Sequence, residues 1–100
     1  MDFLVRIDVS ALYALPAEEQ SDVSIRERER GLELHQEGVL QQIWRLPGRR
    51  ANIGLWTAKD ADHLHEALTS LPIWPYADIE VTPLATHPIS FSDWPPRPQT

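Results

Sequence analysis

The chain has no cysteine, no excess of basic residues and no long apolar run. Without thiols there is no disulfide framework, thiolate nucleophile or thiolate metal site. Fifteen acidic residues against nine basic ones give a formal charge of -6 and a pI near 5.0. That is the wrong sign for gripping phosphates, so nucleic acid is not an expected partner. No stretch approaches the roughly 20 apolar residues of a membrane span, and Asp2, Arg6 and Asp8 interrupt the apolar run a leader would need. No membrane association is expected, and the chain reads as cytoplasmic. Proline is nearly absent from the first part: only Pro16 and Pro47 precede Pro72, and seven of the nine lie from there onward. The first 70 residues are thus free to form regular structure, and the end is irregular.

What is present fits one small domain of 100 residues. A domain this size buries roughly two-thirds or less of its unfolded surface, so burial against other subunits helps it. Phe3, Val5, Ile7 and Val9 alternate with Leu4, Arg6 and Asp8, the signature of a half-buried strand. Ala17 to Gln36 has no proline, is rich in Glu, Arg and Leu, and predicts one long helix ended by Gly38. Its apolar stripe is thin, with Ile25 and Leu32 seven apart. Acidic and basic residues alternate along it, with pairs such as Asp22 and Arg26 worth a few tenths of a kcal/mol. The ordinary reading of these charges is a solvated face; the functional one turns one or two of them into a pocket mouth.

A second strand is predicted over Val39 to Leu46, with Leu40, Gln42, Trp44 and Leu46 on one face. Pro47-Gly48 supplies a turn into a third strand over Ala51 to Trp56. Gly54 inside that strand marks a close approach by backbone or ligand. Asp60 can cap a helix over residues 61 to 70, with Leu64, Leu68 and Leu71 buried and Pro72 as its stop. Ala77 to Leu84 predicts a fourth strand, Ile79 and Val81 facing in, with Pro83 favouring an edge position.

The order βαββαβ folds into an α+β, ferredoxin-like, four-stranded antiparallel sheet with two helices on one face. The other face is bare, and an apolar patch there calls for a second subunit. The expectation is a homo-oligomer joined through that face, with a pocket between sheet and partner. Residues 1–88 form the domain, and 89–100 a proline-rich tail packed on a neighbouring subunit.

No P-loop, G-x-G-x-x-G, HExxH or nucleophile elbow occurs, and His63 and His65 do not share a helix face. Neither a metal nor another cofactor is expected. What remains is carboxylate, imidazole and guanidinium chemistry: Glu27 and Glu29, Arg45, Asn52, His65, Tyr76 and Asp78. Such a set suits proton transfer beside a carbonyl. A carboxylate or imidazole acts as base, an arginine grips a substrate carboxylate, and amide or hydroxyl donors meet a developing enolate.

The stretches HQEGVLQQIWRLPGRRANIGLW (His35 to Trp56) and SLPIWPYADIEVTPL (Ser70 to Leu84), with Leu64-His65 and His87-Pro88, carry a joint pattern over most of residues 27 to 88. In this pattern the chain resembles the muconolactone delta-isomerases of the catechol branch of the β-ketoadipate pathway. The resemblance implies ferredoxin-like subunits in a decameric ring with active sites between subunits. It also implies a cofactor-independent isomerisation of (+)-muconolactone to 3-oxoadipate enol-lactone by a 1,3-allylic proton shift. Glu27 is then the expected base and Glu29 its alternative. Arg45 holds the substrate carboxylate, His65, Asn52 and Tyr76 orient the lactone, and Trp44 and Trp56 line the pocket.

Three competing readings share this topology. A chloromuconolactone dehalogenase eliminates chloride from the same lactone. A structural oligomer leaves Glu27, Arg45 and His65 scattered over the surface. A dimeric α+β-barrel monooxygenase or heme-handling protein needs a spacious aromatic cavity.

Overall fold

The architecture was determined from a computed structural model, which describes residues 1–89. Strand β1 (Asp2–Asp8) leads through a short 3₁₀ turn at Ser10–Ala14 into helix α1 (Ala17–Gln36). Strands β2 (Leu40–Arg45) and β3 (Ala51–Thr57) form a hairpin, and helix α2 (Ala61–Thr69) follows. A 3₁₀ turn at Trp74–Tyr76 then leads into β4 (Asp78–Leu84). The sheet order is β2-β3-β1-β4 and every neighbouring pair is antiparallel, the ferredoxin-like arrangement expected from the element order. β4 lies at an edge, where Pro83 withholds no hydrogen bond that the sheet needs. No helix among the described residues is long and apolar enough to cross a membrane. The tail expected to pack on a neighbour falls, beyond residue 89, outside the described residues.

Local chemistry sets the element ends. At the end of α1, Gly38 takes φ +79°, its N–H donates to the His35 carbonyl (3.0 Å), and the Val39 N–H donates to Leu34 (2.9 Å). This is a Schellman cap, and Leu34 and Val39, the two residues it brings together, are both buried. In the hairpin, Pro47 and Gly48 (φ +74°) occupy the centre of a turn closed by the Arg49 N–H on the Leu46 carbonyl at 3.2 Å. Asp60 caps α2 by accepting from the His63 N–H at 2.8 Å.

Both helices cover one sheet face. The core joins Phe3, Val5 and Ile7 of β1, Trp56 of β3, Val23 and Leu34 of α1, and Leu64, Ala67 and Leu68 of α2. The expected stripe on α1 is displaced. Ile25 and Leu32 are 59% and 58% exposed, and the face turned inward runs Val23, Glu27, Arg30, Leu34. Two of those four positions are charged, which hides the stripe from an apolar count. On β4, Val81 pairs with Val5 and so faces the helices, yet it is 42% exposed at the sheet edge.

A bulge between Leu40 and Gln42 changes the facing of β2. Leu40 pairs with Trp56 and Trp44 with Ile53, so Leu40 and Trp44 point to opposite faces, against the simple alternation. Beyond the bulge Ile43 and Arg45 turn to the helix side, opposite Gly54 and Asn52. On the uncovered face stand Trp44, Leu84, and the partly buried Leu4, Ile53 and Leu55.

Candidate active site

A cavity of about 690 Å3 opens on the helix side of the sheet, between α1 and the strands, not on the uncovered face where a pocket was expected. α1 contributes Ser24, Glu27, Arg28, Gly31, Leu32 and His35. The sheet contributes Ile7, Leu40, Ile43, Asn52 and Trp56, and the chain after α2 closes one side with Leu71 and Ile73. The lining is mostly apolar with a few polar groups, as in small-molecule sites.

Glu27 is the carboxylate of this cavity. It is half-buried, and its Oε1 accepts from the Ile73 N–H at 2.9 Å. Burial raises its pKa above the ordinary 4.5, and the hydrogen bond from Ile73 only partly offsets that. A desolvated carboxylate is a stronger base than one in water. The site is also the place where a carboxylate in the core stripe has a use.

On β3, Asn52 and Trp56 share the helix-side face, four residues apart. The Asn52 Oδ1 and the Trp56 Nε1 are buried and have no hydrogen-bond partner among the described residues. An orphaned buried N–H is costly, so each such group calls for a physical reason. Gly54 lies between the two, and a Cβ there would stand 2.8 Å from the Trp56 Nε1. The close approach anticipated at Gly54 is therefore made by the chain's own indole.

A second depression of about 540 Å3 adjoins the cavity, sharing Val9, Tyr13, Ile43 and Asn52 with it. Trp44, Arg45, Arg49, Arg50 and Ala51 complete its lining. The Arg50 guanidinium lies 4.0 Å from the centre of the Tyr13 ring, a cation–π contact that fixes it. Arg45 has no ion pair among the described residues. Three guanidinium groups beside an apolar cavity suit a small anion with an apolar body.

The structure thus brings Glu27, Asn52 and Trp56 to the cavity and Arg45 and Trp44 to the adjoining depression. Four other candidates lie elsewhere, Asp78 among them at the exposed start of β4. Glu29 is exposed: two residues beyond Glu27 on a helix, it points away. His65 is exposed on α2, off the stripe formed by Leu64, Ala67 and Leu68, with its ring edge-on to Trp74 at 5.7 Å. Tyr76 packs against the core and borders a different depression with Glu18, Asp22 and Arg26, toward the start of α1. Conversely His35, Gly31 and the Ile73 amide belong to the cavity without having been singled out from the sequence. Glu27, Gly31 and His35 follow at i, i+4 and i+8, a spacing that puts them on one helix face.

A profile of the family described as muconolactone delta-isomerase matches residues 1–90. The chain belongs to that family. It is 41% identical over 90 residues to the muconolactone delta-isomerase of Cupriavidus pinatubonensis, covering 90% of this chain and 98% of that relative. It is 34% identical over 93 residues to the muconolactone delta-isomerase of Acinetobacter baylyi, covering 93% of this chain and 97% of that one. A crystal structure of muconolactone isomerase superposes with a TM-score of 0.83 at 32% identity, over 90% of this chain and 94% of the other. Family membership and the βαββαβ fold agree, and the cavity lies within the matched region.

Proposed function

We propose that the chain is a cofactor-independent isomerase that converts (+)-muconolactone to 3-oxoadipate enol-lactone in catechol catabolism. The observation that carries the reading is the half-buried Glu27 carboxylate in an apolar cavity, in a chain of this family. Glu27 takes the proton from ring C4. The electron pair spreads over C4, C2 and the lactone carbonyl oxygen, and a proton returns at C2, leaving the double bond between C3 and C4. No atom is gained or lost, so no co-reactant is needed. In this reading the Trp56 N–H donates to a lactone oxygen and Asn52 orients the ring; what supports it is that the Trp56 N–H and the Asn52 Oδ1 have no partner among the described residues and both residues line the cavity. Arg45, with Arg49 and Arg50 nearby, holds the side-chain carboxylate in the adjoining depression. The shared lining of cavity and depression supports one ligand spanning both.

The test is the ultraviolet and proton-NMR course of purified protein with (+)-muconolactone in D2O without added metal. Enol-lactone should appear, with deuterium at C2 to the extent that the base exchanges with solvent. No turnover by folded protein would overturn the reading, and chloride release from 5-chloromuconolactone at a rival rate would move it to the dehalogenase.

The subunit is further read as part of a cytoplasmic homo-oligomer, a decamer, joined through the uncovered sheet face. What supports this is the apolar content of that face, with Trp44 41% exposed beside Ile53. Light scattering should give a multiple of 11.4 kDa, and a monomer at micromolar concentration would refute it.

A further inference from the structure

His35 stands eight residues after Glu27 on α1 and lines the same cavity, with Gly31 midway between them. Eight residues span about 12 Å along a helix axis. Gly31 carries no side chain, and a Cβ built there meets nothing within 4 Å. The face of α1 therefore presents a carboxylate, a bare floor and an imidazole in sequence. That stretch of the helix face lies open to the cavity.

The imidazole is oriented. Its Nδ1 lies 2.8 Å from the Leu40 carbonyl oxygen. A carbonyl only accepts, so Nδ1 carries the proton and donates. Nε2 has no partner among the described residues and is the nitrogen left for a ligand. The Leu40 bond also ties the ring to the strand that enters the sheet beside Trp56.

Resting on the isomerase reading above, we propose that His35 is a further catalytic residue: its Nε2, when it carries a proton, donates to the lactone carbonyl oxygen and holds the dienolate charge. Glu27 then works at ring C4, and His35 at the opposite end of the conjugated system where the negative charge collects. No proton changes hands at His35. The hydrogen bond strengthens as charge moves onto the oxygen, so its effect falls on the chemical step.

Two substitutions separate this role from a structural one. In His35→Asn the amide nitrogen falls near the place of Nδ1 and keeps the bond to Leu40, but nothing replaces Nε2. In His35→Gln the amide nitrogen falls near the place of Nε2 and the Leu40 bond is lost. Steady-state kinetics with (+)-muconolactone should show kcat reduced about 10²-fold in His35→Asn with KM little changed. His35→Gln should retain at least tenfold more kcat than His35→Asn despite a lower melting temperature. The reverse order, with Asn active and Gln impaired, would assign His35 to holding Leu40 alone and overturn the proposal. So would wild-type kcat in both variants. The wild-type protein run in parallel keeps the two readings apart: if it fails to turn over the lactone, the isomerase reading itself is lost.

Discussion

Gly54 and the indole of Trp56 occupy one another's space on β3: a Cβ at Gly54 would lie 2.8 Å from the Trp56 Nε1 and 3.3 Å from the Gln42 carbonyl oxygen. Neither neighbour gives way cheaply, since one is a buried ring and the other main chain. Gly54→Ala should therefore destabilise the protein by about 1–3 kcal/mol, although alanine on its own favours strand over glycine. Urea unfolding measures the loss. Because the indole lines the cavity, isomerase activity should fall more than stability explains. A variant as stable as the parent would mean the indole has room to shift.

Glu27 carries opposite consequences for activity and stability. Glu27→Gln keeps an acceptor for the Ile73 N–H but removes the base, and turnover should fall by about 10²–10⁴-fold. The folded-state pKa is raised by burial, so the ionised carboxylate opposes folding. That cost is absent below the unfolded value, near 4.5, grows as pH rises through the interval up to the folded pKa, and is full above it. Glu27→Gln should accordingly melt higher than the parent at neutral pH, with the difference shrinking as pH falls toward 4.5. Glu29→Gln, on the exposed side of α1, should leave both activity and melting temperature near the parent's. Equal loss in the two variants would remove Glu27 from its role.

Arg45 faces the depression without an ion pair among the described residues, so its charge is available to a ligand. Arg45→Met should raise KM about tenfold, the lower end for a charge-assisted contact because the group is exposed and screened. The chemical step lies elsewhere, so kcat should change little. Added salt should raise the parent's KM more than the variant's. A kcat loss with unchanged KM would place Arg45 at the reacting atoms instead.

The fold was legible because its signals are local. Alternation in β1, the Gly38 cap, the Pro47-Gly48 turn and the Asp60 cap each depend on a few neighbouring residues. The site was legible only in part, for two physical reasons. The inward stripe of α1 contains Glu27 and Arg30, so counting apolar residues selected Ile25 and Leu32 on an exposed face. The bulge after Leu40 changes the facing of β2, turning Arg45 toward the cavity side and Trp44 away from it, which strict alternation does not register. Motif similarity grouped His65 and Tyr76 with the site, but similarity in sequence does not say which side of α2, or which end of α1, a side chain meets. His35 was not singled out, because the features that distinguish it are its bond to Leu40 and the bare Gly31 between it and Glu27.

Gly31 offers a case in which stability and function part in a single substitution. It lies inside α1, where glycine costs about 1 kcal/mol relative to alanine, and nothing in the structure compensates that cost by packing. Gly31→Ala should raise stability by about 0.5–1 kcal/mol, since the added methyl meets open cavity. Gly31→Leu should also fold, its side chain extending across the floor between Glu27 and His35. A filled floor excludes the lactone, so Gly31→Leu should bind and turn over (+)-muconolactone at least 10²-fold less well, with Gly31→Ala intermediate. Melting temperature and kcat/KM measured on the same samples decide the matter. If Gly31→Leu keeps full activity, substrate does not lie on this face of α1, and the roles given to Glu27 and His35 would have to move with it.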